Sequence, residues 1–208
     1  MTQRSAASRR NASRRQRPVD DPFARALAGT VPAMAGDVVV ERVVASVVLP
    51  LRSAVLRPGR PLDAARLAVD DLPDTATFAA IDRRATGTGA TVGRNPGTAT
   101  EPGTVVGTAL VYPAACPWVP TARGWRLRGM ATAPGRRNAG IGTRLVKVVV
   151  EHVESHGGEV LWCFARVPAR RFYERAGFVA VGHEWDEPGI GPHVNMARDL
   201  RRPPSPEP

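Results

Sequence analysis

Lysine is nearly missing from this chain: Lys147 stands alone among 29 basic residues, and arginine supplies the rest. A lysine-bearing phosphate loop is therefore excluded at Gly142, because the ATP-cradling pattern needs Gly-Lys-Ser/Thr and no lysine follows. Cysteine is also scarce. Cys116 and Cys163 stand in neither a Cys-x-x-Cys nor a Cys/His spacing, so no zinc site and no disulfide framework are expected, and a reduced, cytoplasmic setting fits. Aromatics make up 5% of the residues and none lies among the N-terminal arginines, which argues against stacking on single-stranded nucleic acid. No apolar run approaches the roughly 18 to 20 residues of a membrane span. The basic start is not followed by the apolar region of a secretory signal, so no membrane partner is expected.

Acids are absent from the first 17 residues, which hold Arg4, Arg9, Arg10, Arg14, Arg15 and Arg17 and so contribute six of the ten net positive charges. The other 191 residues carry only +4, a balance that does not single out nucleic acid as a partner. The arginine bias itself can reflect genome composition as readily as function. Residues 1–35 are rich in Arg, Ser, Ala and Pro without apolar periodicity, and the prolines of 201–208 preclude a helix or strand interior. Disordered ends are expected around one domain at 36–200, a size that buries a core of its own. The arm before Met34 is expected to be dispensable for folding.

Within that domain the pattern predicts a strand over 38–44, a helix over 47–56, and a short helix over 62–69 opened by Pro61. Strands follow over 75–81, 104–111 and 125–132, the first two separated by a long Thr/Gly/Pro-rich connection over 83–103. Ile141, Leu145, Val148, Val149 and His152 share one face of a helix over about 140–155, which Gly157-Gly158 stops. A strand over 160–165, a short helix over 168–176 ended by Gly177, and strands over 178–185 and 193–197 complete the pattern. Strands alternating with helices after residue 125 imply parallel pairing by crossover and an α/β class.

The richest stretch is Ala133-Pro-Gly-Arg-Arg-Asn-Ala-Gly-Ile-Gly-Thr-Arg-Leu145, with two glycines at the mouth of the long helix. A helix N-terminus offers unpaired N–H groups and the positive end of its dipole, and glycines let the backbone close around an anion. The stretch suits a diphosphate, although Gly-x-Gly before a helix also serves as a plain tight turn. A dinucleotide site is disfavoured, since Leu145 occupies the third glycine position of Gly-x-Gly-x-x-Gly and the loop after the strand is too long.

Arg137-Asn138-Ala139-Gly140-Ile141-Gly142 resembles the Arg/Gln-x-x-Gly-x-Gly/Ala loop of the GNAT superfamily of N-acetyltransferases, with Pro134 also where that family commonly has proline. A second motif of the family, ending in tyrosine and Glu-x-x-Gly-Phe, is similar to Ala169-Arg-Arg-Phe-Tyr-Glu-Arg-Ala-Gly-Phe178. Both stand in the family's order, one helix and one strand apart, and the clear likeness covers about 104–185. The resemblance implies a single GNAT-like α/β domain of bacterial type, with a mixed, mostly antiparallel sheet, splayed parallel strands and flanking helices. It implies acetyl-CoA as co-substrate, an amine acceptor and no metal; a homodimer is compatible with it.

By that resemblance Met130, Ala131 and Thr132 line the pantetheine arm, while Arg137, Asn138, Ala139, Gly140, Ile141, Gly142 and Thr143 wrap the pyrophosphate. Arg136 is expected to be a solvated surface residue. Tyr173 is the implied acid for the departing thiolate, and a backbone N–H near Ala131 or Thr132 polarises the carbonyl oxygen. The base is harder to place, because Arg128 stands where many members carry glutamate. Asp186-Glu-Pro-Gly-Ile-Gly-Pro-His-Val-Asn-Met196 is similar to a motif of a bacterial subgroup, with Gly191 extra, and makes His193, Glu187 and Asp186 the candidates for base or amine binding. Arg166 replaces an asparagine often found before the second motif, and Arg166 or Arg170 is offered as a phosphate contact. Acceptor contacts are expected from 51–60 and 185–193. Two other functions stay open at this point: acyl-CoA binding without turnover, favoured by Arg128, and nucleic-acid binding through the arginine arm, with an affinity that salt would weaken.

Overall fold

A computed structural model describes residues 38–84 and 103–201, so the expectations for the arm at 1–35, the tail beyond 201 and most of the 83–103 connection fall outside the described residues. Along the chain come β1 (Val38–Val43), α1 (Ala45–Leu56), a 3-10 turn at Leu62–Ala65, β2 (Ala76–Asp82), β3 (Thr104–Pro113) and β4 (Gly124–Thr132). A second 3-10 turn at Pro134–Arg136 leads into α2 (Ile141–Ser155) and β5 (Val160–Arg166). A third at Val167–Ala169 precedes α3 (Arg170–Arg175), and β6 (Val179–Glu187) and β7 (Gly191–Asp199) follow.

The helix expected over 62–69 is reduced to a single turn. Arg66 already has extended dihedrals, and the carboxylate of Asp70 accepts both the Leu67 N–H at 2.8 Å and the Arg52 guanidinium at 2.7 Å. A side-chain acceptor for the backbone N–H competes with the helix, and here the buried ion pair holds that acceptor in place.

All seven strands form one sheet in the order β1-β2-β3-β4-β5-β7-β6, antiparallel except where β4 meets β5. Of the two crossovers expected after residue 125, only the one through α2 creates a parallel pair. The chain passes through α3 to the edge of the sheet, and β7 then inserts between β5 and β6, antiparallel to both. The hairpin joining β6 to β7 needs only a tight turn, which makes that insertion easy to form.

Strand alternation divides the core between the two faces. On β2, Phe78 and Ala80 pack with α2, while Ala79 and Ile81 pack with α1, so the whole strand is buried. Six residues of α2, Ile141, Leu145, Val146, Val149, Val150 and Val153, are buried, each worth about 1.5–3 kcal/mol for a large aliphatic side chain. Val148 is only half-buried, so the apolar stripe is rotated slightly from the face the spacing predicts. Gly107 lies where helix and sheet are closest: a Cβ there would stand 2.7 Å from Ile141 and 2.9 Å from Leu145.

His152 completes this face, with its ring 5.5 Å from Phe78 and 5.7 Å from Trp125. Burial, then the neighbouring His156 and Arg42, lower its pKa from 6.5 to about 4. Above pH 6.5 the ring is neutral in both folded and unfolded chains; below it, the unfolded chain binds a proton that the folded one refuses until about pH 4. Stability is expected to fall as pH drops across that window. Denaturant titrations of wild type and His152→Phe should diverge there, with the variant losing less stability between pH 7 and 4.

The sheet opens between β4 and β5. They pair only at Gly124, Trp125 and Arg126 with Val160, Leu161 and Trp162. Beyond that, β5 keeps its pairing to β7 through Arg166, whereas β4 follows β3 through a bulge at which Gly129 and Met130 oppose Ala109. Gly129 has φ +60°, a left-handed conformation typical of such bulges, and a Cβ on it would approach Arg52 Nε to 3.0 Å. Each strand stays with its outer neighbour, so the two inner edges part.

Candidate active site

On one side of the opening lies the loop that follows β4. Ala133 donates its N–H to the Val106 carbonyl at 2.9 Å, and Arg136 N–H closes the next turn onto Ala133. Arg136 is not a free surface residue: its guanidinium pairs with the buried carboxylate of Asp82 and ties the loop to the end of β2. Arg137, Asn138, Ala139 and Gly140 are exposed. Asn138 (φ 61°) and Gly140 (φ 72°) both take left-handed dihedrals that turn the chain into α2.

The start of α2 has no side-chain cap and no acidic residue in its first turn, so the N–H groups of Ile141, Gly142 and Thr143 are not occupied by the protein's own oxygens. A Cβ at Gly140 would meet nothing within 4 Å, while one at Gly142 would press on Phe172 at 3.0 Å. An anion as large as a pyrophosphate fits such an uncapped, glycine-bordered end. The edge of β4 that faces the opening, from Leu127 to Thr132, has no strand partner in β5. Met130 and Thr132 are half-buried there, whereas the Ala131 side chain is buried, leaving its backbone as the group available to a ligand.

On the other side is a cavity of about 350 Å³ bounded by α1, the Leu62 turn, β4, β5, α3 and the β6–β7 hairpin. Tyr173, His193, Glu187 and Met130 all line it. Tyr173 is 6% exposed, and its ring packs edge-on against Phe172 at 5.0 Å and Phe178 at 5.3 Å. Burial first, then the neighbouring Cys163, hold its pKa well above 10, so it keeps its proton. Burial likewise pushes the Cys163 thiol up to about 12, against the smaller opposing effects of Tyr173 and Arg126.

His193 is 8% exposed, pairs across the strands with Arg166 and Trp185, and packs its ring on Trp185 at 5.3 Å. Nδ1 lies 2.7 Å from the Gly191 carbonyl, a contact in which the nitrogen must donate. The neutral ring then carries its lone pair on Nε2. Gly191, extra in the sequence motif, is thus the residue that sets the histidine tautomer. Glu187 is half-buried on the cavity side of β6, while Asp186, one residue earlier and on the opposite face, is exposed and does not line the cavity.

Arg166 lies on the cavity wall, and Arg170 is engaged by Glu174 at 2.7 Å and Glu184 at 3.6 Å. Neither was expected in that position. Arg52, within the 51–60 segment expected to contact the acceptor, is on the cavity wall, but its 1% exposure and its pairing with Asp70 were not foreseen, and Arg126, which lies over Trp162 and Phe164 at 4.7 and 4.4 Å, was missed. The signals were present as a lone charge in an apolar helix and an Arg-Leu-Arg alternation on β4. Among the described residues no group of three His, Cys, Asp or Glu side chains is placed to hold a metal ion, and no helix is long and apolar enough to cross a membrane.

A split sheet with an uncapped helix end on one side and an acid/base-lined cavity on the other defines the class of α/β acyltransferases. The profile of the Acetyltransferase (GNAT) family matches residues 66–178, and the chain belongs to that family. It is 35% identical over 99 residues to the uncharacterized N-acetyltransferase YitI of Bacillus subtilis strain 168, a match spanning 48% of this chain and 66%, just under two thirds, of that protein. Its fold is similar to that of a candidate N-acetyltransferase from Lactobacillus plantarum, with TM-score 0.58 at 19% identity over 79% of this chain and 99% of the other. An aminoglycoside 6'-N-acetyltransferase complexed with coenzyme A gives TM-score 0.51 at 18% identity, covering 82% and 99%.

Proposed function

We propose that this chain transfers an acetyl group from acetyl-CoA directly to a primary amine of a small molecule or a protein. The observations that carry the reading are the uncapped start of α2 just after β4, the edge of β4 left without a strand partner, and the cavity reaching that edge at Met130, which holds Tyr173, His193 and Glu187. Acetyl-CoA supplies the activated thioester. The N–H groups of Ile141, Gly142 and Thr143, with Arg137 and the exposed backbone of Asn138, Ala139 and Gly140, bind its pyrophosphate, and the β4 edge at Met130, Ala131 and Thr132 binds the pantetheine arm.

The amine attacks the thioester carbonyl to give a tetrahedral intermediate, whose oxyanion is met by a backbone N–H near Ala131 or Thr132. His193 Nε2 takes up the amine proton, directly or through water, with Glu187 as the second acceptor. Tyr173, protonated at every working pH, donates to the departing thiolate. Cys163 does not carry the acyl group, because a thiol held near 12 supplies almost no thiolate. The proposed domain spans 36–200, with the arginine arm outside the reaction.

A thermal-shift titration tests the cofactor assignment. Acetyl-CoA at about 100 times its Kd should add about 2.7 kcal/mol of stability. An unchanged melting temperature at saturating acetyl-CoA would sink the proposal. Binding without turnover, which Arg128 on β4 favours, is distinguished by thiol release across a panel of amines: a shift with no release of coenzyme A supports that second reading.

A further inference from the structure

We propose that the acceptor amine carries an acidic group, a carboxylate or a phosphate, which the arginines of the cavity bind; this rests on the acetyl-transfer reading above. Arg52, Arg57, Arg126, Arg128 and Arg166 line the cavity, and Glu187 is the single carboxylate among its lining residues. Asp70 neutralises one of the five, pairing with Arg52 Nη1. The Nε and Nη2 groups of Arg52 are buried with no partner, as is Nε of Arg126.

The remaining contacts are weak compensation for charge. Arg57 donates to the Leu56 carbonyl at 3.0 Å, and Arg166 reaches the same oxygen at 3.4 Å. Arg126 rests on the faces of Trp162 and Phe164, and Arg128, two residues along the same strand and therefore on the same face, has no hydrogen-bond or ion-pair partner among the described residues. Two carboxylates thus face five guanidinium groups. In a partly enclosed cavity the excess positive charge raises the affinity for an anion and repels a polycation. Guanidinium groups match a carboxylate or phosphate with two parallel hydrogen bonds, and such charge-assisted bonds are the strong ones.

The same field bears on the missing carboxylate base. An ammonium group close to several arginines has its pKa lowered, so the reactive free amine is populated without a glutamate on β4. Arg128 then binds the acceptor and eases its deprotonation. Amines with several positive charges, such as polyamines and aminoglycosides, fit this cavity poorly.

The test compares each acid with its neutral twin: amino acids against their carboxamides and phosphoethanolamine against ethanolamine, with spermidine as the polycation, following coenzyme A release by the full chain. At least one acid should exceed its twin by about tenfold or more in kcat/KM. Whether the amino acid or the phosphoethanolamine pair shows the ratio identifies carboxylate or phosphate. Arg128→Gln should shrink the kcat/KM ratio between that acid and its neutral twin towards one, chiefly by raising KM for the acid. The ratio is the readout because loss of the amine's easier deprotonation falls on both twins alike; a merely structural role does not produce that split. Equal rates for every acid and its twin, or a preference for spermidine, would overturn the inference and leave acetyl transfer standing. If no amine is acetylated, calorimetry on the CoA-saturated protein decides. Tighter binding of an acid than of its twin, lost in Arg128→Gln, upholds the charge reading without the enzymatic one, and equal or absent binding refutes it.

Discussion

Tyr173→Phe should lower kcat by about 10²–10³-fold, the usual contribution of a positioned acid, with little change in acetyl-CoA affinity. The substitution removes only the hydroxyl. The ring contacts with Phe172 and Phe178 survive, and the hydroxyl's neighbour Cys163 is at most a weak acceptor, so the stability cost should stay near 1 kcal/mol or below. Stopped assays of thiol release alongside a denaturant curve separate the two roles: a packing residue would lose stability and keep its rate. Because Tyr173 titrates well above 10, it should impose no fall in kcat on the alkaline side up to about pH 10. An unchanged kcat in Tyr173→Phe would assign protonation of the thiolate to water or another group.

Asp70→Ala should destabilise the fold by about 3–5 kcal/mol, because it strands the Arg52 charge where both side chains are almost fully buried, at 1% and 0% exposure. Asp70 also accepts the Leu67 N–H, so the turn ahead of β2 loosens with it. Against the roughly 5–15 kcal/mol that holds a typical domain, this is a large fraction, and the melting temperature should drop by about 10 °C or more. Removing both charges in Arg52→Met/Asp70→Leu should recover most of the loss, since an apolar pair of similar volume avoids the desolvation. If Asp70→Ala costs under about 1 kcal/mol, the pair is not the buried lock described above.

Between these two residues the difference in legibility is plain. Tyr173 was visible because the residues around it, from Ala169 to Phe178, form a contiguous motif, and the loop from Arg137 to Thr143 was visible for the same reason. Arg52 and Asp70 lie 18 residues apart and meet only after α1 has docked on the sheet. The sequence offers Arg52 as part of an acceptor-contacting segment, but not the buried partner 18 positions away that the fold brings to it. Arg136 misled in the same way, because Asp82 is 54 residues distant.

His193 and Glu187 were singled out by the resemblance of 186–196 to a family motif, and the fold brings both to the cavity wall while turning Asp186 outward. What spacing left open was the tautomer, set by the Gly191 carbonyl, and the company His193 keeps, set by β7 pairing with β5 on one side and β6 on the other.

Local order was legible from the chain alone: apolar alternation marked the strands, a 3.6-residue stripe marked α2, and two glycines marked the turn into that helix. These depend on neighbours a few residues apart, and near-neighbour chemistry is written directly in the order of residues. Strand order, the parting of β4 from β5 and the gathering of five arginines around one cavity depended on pairings between segments tens of residues apart. Those were decided by which edges found partners and which charges were buried together, and a linear pattern does not specify either.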